Sequence, residues 1–109
     1  MIAAHRGLDE FAPENTAPAF IAALELGMAG EVDLRRTADG EIVIVHDDSL
    51  DRTTSGAGPV AQATLAEIKT FDAGRWRGER FAGERVPTLH DLLEIAVRHG
   101  RADTTLVLE

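Results

Sequence analysis

The sequence predicts an α/β fold with a largely parallel sheet, and three observations carry that expectation. Short apolar runs near both ends read as strands, two segments with helical spacing and clear start signals lie between them, and the two kinds of segment alternate. Met1 to Ala4 is a short apolar strand that meets the loop His5-Arg6-Gly7. The end of a strand is where side chains project from such a scaffold. Pro13-Glu14-Asn15-Thr16 then forms a polar stop before an apolar run. Thr16 is the expected N-cap, Pro18 falls in the first turn, and Phe20, Ala23, Leu24 and Gly27 keep helical spacing. Gly27 or Gly30 is expected to end this helix.

Two extended segments flank Asp39-Gly40, a strong hairpin signal. With Asp39 and Gly40 as a two-residue loop, Asp33 faces His46 and Arg36 faces Val43. A longer turn would shift that register by one residue. Alternation puts Glu31 and Asp33 on one face, and opposed Cβ atoms lie only about 4.5–5.5 Å apart. The hairpin would thus gather two carboxylates and an imidazole. Such residues are either a solvated strand face or a divalent-cation site with a proton-transfer group beside it. Ile42-Val43-Ile44-Val45 is apolar on both faces and reads as buried on both, which weighs toward the second reading.

Asp48 to Pro59 is turn-rich, and its glycines match neither common phosphate-binding fingerprint. Thr64-Leu65-Ala66-Glu67 is a capping-box pattern opening a helical turn through Lys69. Phe71 to Arg85 is a long loop with Trp76 and Phe81, aromatic residues expected to pin it down rather than to line a pocket. Thr88-Leu89-His90-Asp91 starts a second helix whose apolar face runs through Leu89, Leu92, Leu93, Ala96 and Val97, with Gly100 as its stop. His90 and His99 read as structural or solvated. The chain closes on a strand, Thr104 to Glu109, ending in a carboxylate.

The 109 residues suit one small domain, and 44% apolar with 28% charged residues is ordinary for a soluble protein. A net charge of −8 offers no basic stripe for nucleic acid, so an anionic substrate would need a cation or a few placed arginines. With no cysteine, disulfides and thiolate chemistry are excluded. No signal peptide or membrane-spanning stretch is expected, and a cytoplasmic protein is the default.

His5-Arg6-Gly7, Pro13-Glu14-Asn15-Thr16, Glu31-x-Asp33, Asp39-Gly40, His46-Asp47, Arg52-Thr53-Thr54-x-Gly56 and Val86-Pro87-Thr88-Leu89 stand here in one order. That series resembles the glycerophosphodiester phosphodiesterase family across essentially the whole chain. The resemblance implies a (β/α)₈ TIM barrel, of which residues 1–109 would be a partial domain holding roughly the first three β/α units. It implies metal-dependent hydrolysis of glycerophosphodiesters to sn-glycerol 3-phosphate and an alcohol. His5 and His46 would be the general acid–base pair and Arg6 a phosphate contact. Glu31, Asp33 and Glu109 would be ligands of a divalent cation, Mg²⁺ or Ca²⁺, since carboxylate oxygens suit hard ions. In this resemblance His5, His46 and Glu109 fall at strand C-terminal ends, where barrel sites lie.

Two departures stand out. Only Met28-Ala29-Gly30 separate Gly27 from Glu31, one residue fewer than the family usually has, a loss that the loop before the strand would absorb. The residues after Glu109 and the later barrel strands are also missing, which would leave open sheet edges. Two alternatives follow: a catalytically silent half-barrel that binds metal or phosphate or self-associates through those edges, and a lysophospholipase D-like relative.

Overall fold

The computed structural model describes residues 3–7, 11–100 and 106–109. The expected strand positions Met1, Ile2, Thr104 and Thr105 lie outside the described residues. Strand β1 (Ala3–His5), helix α1 (Ala17–Glu25) and strand β2 (Ala29–Val32) form a βαβ unit, with β1 and β2 parallel. A hairpin of β3 (Leu34–Arg36) and β4 (Ile42–Ile44) follows. After it come the short helix α2 (Leu65–Ile68), helix α3 (Leu89–His99) and strand β5 (Leu106–Leu108). The parallel sheet has the order β1-β2-β5, as alternating strands and helices predict.

Helix α1 buries Ala19, Phe20, Ala23 and Leu24, the expected face. Removing Phe20 and Leu24 from water contributes about 1.5–3 kcal/mol each. Thr16 occupies the N-cap position, yet its hydroxyl donates backwards to the Pro13 carbonyl at 2.6 Å and caps no amide. Proline at the start of the helix lowers the need for a cap, because Pro18 has no N–H to satisfy. Gly27, at φ +77°, ends the helix in a Schellman turn: Met28 N–H donates to Ala23 and Gly27 N–H to Leu24. A single residue, Met28, then leads into β2.

The hairpin register differs from the expected one. Leu34 pairs with Ile44, Arg35 with Val43 and Arg36 with Ile42, so Asp33 faces Val45 and not His46. The loop is one residue longer: Thr37 N–H donates to Glu41 O, Gly40 stands at φ +83°, and Ala38 joins Asp39 and Gly40 in the turn. Thr37 Oγ1 donates to Asp39, whose carboxylate also accepts from Leu65 N–H. That side-chain anchoring favours the wider loop.

Strand β4 is buried on both faces, as its composition predicts. Val43 and Val45 pack with Leu50, Val60, Ile68 and Val86, whereas Ile44 packs with Phe20, Val32 and Leu92. The hairpin therefore separates the strand-and-helix layer from the loop excursion. Phe71 packs on the first of these clusters and Phe81 against Ala12 and Ala19, pinning the long loop, while Trp76 stays partly exposed.

The expected capping box, Thr64 with Glu67, is formed, and the helix start at Thr88 proves to be a second one, Thr88 with Asp91. On α3 only part of the predicted apolar face is covered. Leu92 is buried and Leu89 and Ile95 pack beside it, but Leu93 is 48% and Val97 85% exposed. The covered stripe is narrower than the spacing predicts, because the helix turns Leu89, Leu92 and Ile95 inward. His90 and His99 pair with Glu94 and Glu25 at the surface.

Asp72 anchors the long loop by accepting from Gly83, Arg75 and Gly74 N–H groups at 2.6, 2.7 and 2.9 Å. These amides, Gly83 first, pull its carboxyl down from the ordinary 3.8 to about 2. A carboxyl depressed on folding stabilises the fold above its ordinary value and loses that contribution as pH falls through the folded one. Exchange protection of the Gly83 amide is thus expected to hold above pH 3.8 and to fall away toward about 2. An amide equally protected at the acid end would rule the anchor out.

Candidate functional site

The loop after β1 has an unusual backbone. Arg6 and Gly7 both take left-handed conformations, at φ +54° and +77°, and Asn15 does so at +56°. Glycine and asparagine tolerate this region, whereas arginine adopts it at a cost of about 1–3 kcal/mol that its surroundings must offset. They do so through Arg6 Nη1 to Glu14 Oε2 at 3.0 Å and Asn15 N–H to the Arg6 carbonyl at 2.8 Å, while Arg6 Nε stands 3.4 Å from Asp33 Oδ2 in an ion pair without a hydrogen bond.

From Arg6 an ion-pair chain continues outward. Arg52 donates through Nη1 and Nη2 to both oxygens of Glu14, each at 2.9 Å. The same guanidinium reaches Asp47 through Nε at 2.8 Å and Nη2 at 3.0 Å. Asp47 Oδ1 lies 2.9 Å from His46 Nδ1. Asp47, Arg52, Glu14, Arg6 and Asp33 thus alternate in sign along one connected path. The hydrogen bonds from Arg52, then the His46 contact, hold the Asp47 carboxyl well below the usual carboxylate range. The Asp47 and Glu14 carboxylates in turn push Arg52 up. Arg35 Nε and Nη2 donate to the His46 carbonyl at 3.1 and 2.6 Å, fixing its backbone independently of the ring.

The predicted site residues divide in their placement. The backbone of His5 pairs with Glu31, and Glu31 pairs in turn with Val107. The His5 side chain, and with it the imidazole expected to act in catalysis, lies outside the described residues. Glu109 N–H donates to the Val32 carbonyl at 2.9 Å and its carbonyl accepts from Leu34 N–H at 2.7 Å, so its backbone flanks Asp33 on both sides. Asp33 belongs to neither β2 nor β3, because the chain leaves the parallel sheet there. His46 follows β4 and therefore stands at the end of a hairpin strand, not of a strand in the parallel sheet. Arg6 reaches the site already paired.

Glu31, Asp33 and Glu109 suit a hard cation by donor chemistry and by backbone position, three carboxylates at the same end of adjoining strands. Among the described residues no group of three or more His, Asp or Glu is gathered to hold a metal ion. Asp33 is engaged by Arg6 and by Asn15 Nδ2 at 3.1 Å. Asn15 Oδ1 is buried without a hydrogen-bond partner among the described residues. It borders a narrow pocket lined also by Glu14, His46, Thr53 and Val86.

A profile described as the glycerophosphoryl diester phosphodiesterase family matches residues 5–106. The chain belongs to this family. It is 51% identical over 96 residues to a glycerophosphodiester phosphodiesterase of Caldanaerobacter subterraneus subsp. tengcongensis, aligning 87% of this chain with 40% of that protein. A putative glycerophosphodiester phosphodiesterase of Bacillus subtilis, YhdW, is 48% identical over 94 residues, with 85% of this chain and 39% of that one aligned. The chain thus spans less than half the length of these curated relatives. The crystal structure of a glycerophosphodiester phosphodiesterase from Agrobacterium tumefaciens superposes with a TM-score of 0.88 at 44% identity, covering 98% of this chain and 46% of that one. An Oleispira antarctica phosphodiesterase in complex with the product sn-glycerol-3-phosphate superposes with a TM-score of 0.83 at 31% identity, covering 99% and 56%. The family fold is the (β/α)₈ barrel, and β1, β2 and β5 are three neighbouring strands of it. Among the described residues no helix is long and apolar enough to cross a membrane.

Proposed function

We propose that the chain carries the catalytic strand ends of a phosphodiesterase that hydrolyses glycerophosphodiesters to sn-glycerol 3-phosphate and an alcohol. The observation that supports this most is the unbroken chain of ion pairs, ending in a hydrogen bond to the imidazole, that links His46 to Arg6 and Asp33 across two separate loops. A neighbour that holds sn-glycerol-3-phosphate favours the same substrate class. His5 and His46 serve as the acid–base pair. One takes the proton of the substrate's glycerol hydroxyl as that oxygen attacks phosphorus, and the other protonates the departing alcohol. Water then opens the cyclic phosphate. Proton transfer of this kind contributes about 10²–10⁴-fold in rate. Arg6 contacts a phosphate oxygen, countering the overall charge of −8 that would repel an anion. Glu31, Asp33 and Glu109 would hold a divalent cation, which when bound polarises phosphoryl oxygens and offsets their charge.

Release of sn-glycerol 3-phosphate from a deacylated phospholipid head group is expected with Mg²⁺ or Ca²⁺ and not with chelator. Glu31→Gln is expected to weaken cation binding in calorimetry. Release that ignores chelation would remove the cation from the reaction, and an unchanged affinity would remove Glu31 from the site.

A second reading rests on the sheet, in which, among the described residues, β1 and β5 stand on the outside. Unpaired edges pair readily with other strands. In that reading the chain self-associates and binds phosphate or metal without turnover. Light scattering that gives only a monomer would exclude it.

A further inference from the structure

The proposed function gives roles to His46 and Arg6 and leaves unexplained Arg52, the cation between the two carboxylates, Asp47 and Glu14, that link them. Arg52 sits in the turn-rich segment after the hairpin, 38 residues from Glu14 in sequence, and engages two carboxylates with one guanidinium. Its Nε and Nη2 take Asp47 in a two-point grip, and its Nη1 and Nη2 take Glu14 in another. The Glu14 side chain is almost fully buried, while that of Arg52 is 46% exposed. The fork is thus anchored from beneath on Glu14 and aims at Asp47 above. Asp47 in turn offers Oδ1 to both Arg52 Nη2 and His46 Nδ1.

This geometry has a consequence for the imidazole. A neutral histidine carries its hydrogen on one nitrogen only, and a carboxylate beside Nδ1 draws it there. Nε2 is then left as an acceptor, facing away from Asp47. The Asp47 carboxylate can do this only while it is held in place. Among the described residues Arg52 and His46 itself are what hold it, so without the fork it is free to turn toward solvent.

We propose that Arg52 is a positioning residue: it clamps Asp47 against His46 Nδ1 and so fixes the tautomer in which Nε2 is the free base. This rests on the reading of His46 as an acid–base group, but the contact that it explains exists whatever the chain hydrolyses. Lysine is a point charge and cannot grip two carboxylates at two points each, so Arg52→Lys tests the fork and Arg52→Gln the charge. Arg6 keeps its own bond to Glu14 and its ion pair with Asp33 in both variants, so substrate affinity should change little.

The test is the long-range ¹H–¹⁵N spectrum of the His46 ring at about pH 8, where free imidazole is neutral. The wild-type chain is expected to show one tautomer with the hydrogen on Nδ1. Arg52→Gln is expected to move the ring nitrogens toward the average of both tautomers, with Arg52→Lys between the two. A His46 spectrum unchanged in Arg52→Lys and Arg52→Gln overturns the proposal, as does a wild type with the hydrogen on Nε2. If Arg52→Gln does not fold, the lysine variant, which keeps the charge, decides alone. Turnover is read separately: kcat is expected to fall about 10–100-fold with KM nearly constant. The spectra decide the role of Arg52 whether or not the chain turns over, so failure of the clamp and failure of the proposed reaction are distinguishable.

Discussion

Replacing Gly7 with alanine is expected to destabilise the fold by about 2–5 kcal/mol. Two independent costs combine. At φ +77° an L side chain is strained, which costs about 1–2 kcal/mol. A Cβ at this position would also stand 2.8 Å from the backbone carbon and the Cβ of Ala19 and 3.0 Å from the Phe20 ring. Ala19 and Phe20 are buried in α1 and cannot step aside without moving the helix, and overpacking of that kind costs about 1–3 kcal/mol. Urea denaturation would measure the sum, and a loss below about 1 kcal/mol would show that the loop relaxes freely. The effect reaches function through Arg6, the neighbouring left-handed residue, because the close approach of Gly7 to α1 sets where the strand turns outward.

The physical origin of this sensitivity explains which parts of the molecule are legible in sequence. The helix starts at Thr64 and Thr88 are local patterns within four residues, and both helices begin where expected. The burial of β4 on both faces follows from four consecutive apolar residues. The hairpin register does not follow from Asp39-Gly40 alone, because the wider turn is stabilised by Thr37 and by a bond to Leu65, 26 residues away from Asp39. The same limit applies to the site. Arg6, Asp33 and His46 stand out as chemistry-bearing types within motifs of the family. Glu14, Asp47 and Arg52 belong to the same motifs, yet their function is to pair with one another over 5 and 38 residues. The only signal for them is a pair of acidic residues and an arginine placed close to those chemistry-bearing types. Asn15 reads as part of a polar stop, whereas its amide binds Asp33 and its backbone is left-handed. Side-chain convergence is a property of the packed loops, and no spacing rule encodes it.

His46→Ala is expected to lower turnover by about 10²–10⁴-fold while leaving the fold nearly as stable as before. The two halves of that expectation have separate causes. The His46 side chain is 44% exposed and pairs with Asp47, so deleting it empties no core space. Its backbone stays in place because Arg35 grips the carbonyl and because Val45, the preceding residue, is buried against Val43 and Val86. Asp47 keeps both bonds from Arg52 and is left with no uncompensated charge. Cation affinity should be unaffected, since the imidazole is not among the proposed ligands. Comparison of kcat, unfolding midpoint and cation binding in the same variant would separate these effects. Turnover within a factor of a few of the wild type would remove His46 from the chemistry. A parallel loss of stability would mean instead that the imidazole supports the Asp47–Arg52–Glu14 chain from outside and that the clamp operates in both directions.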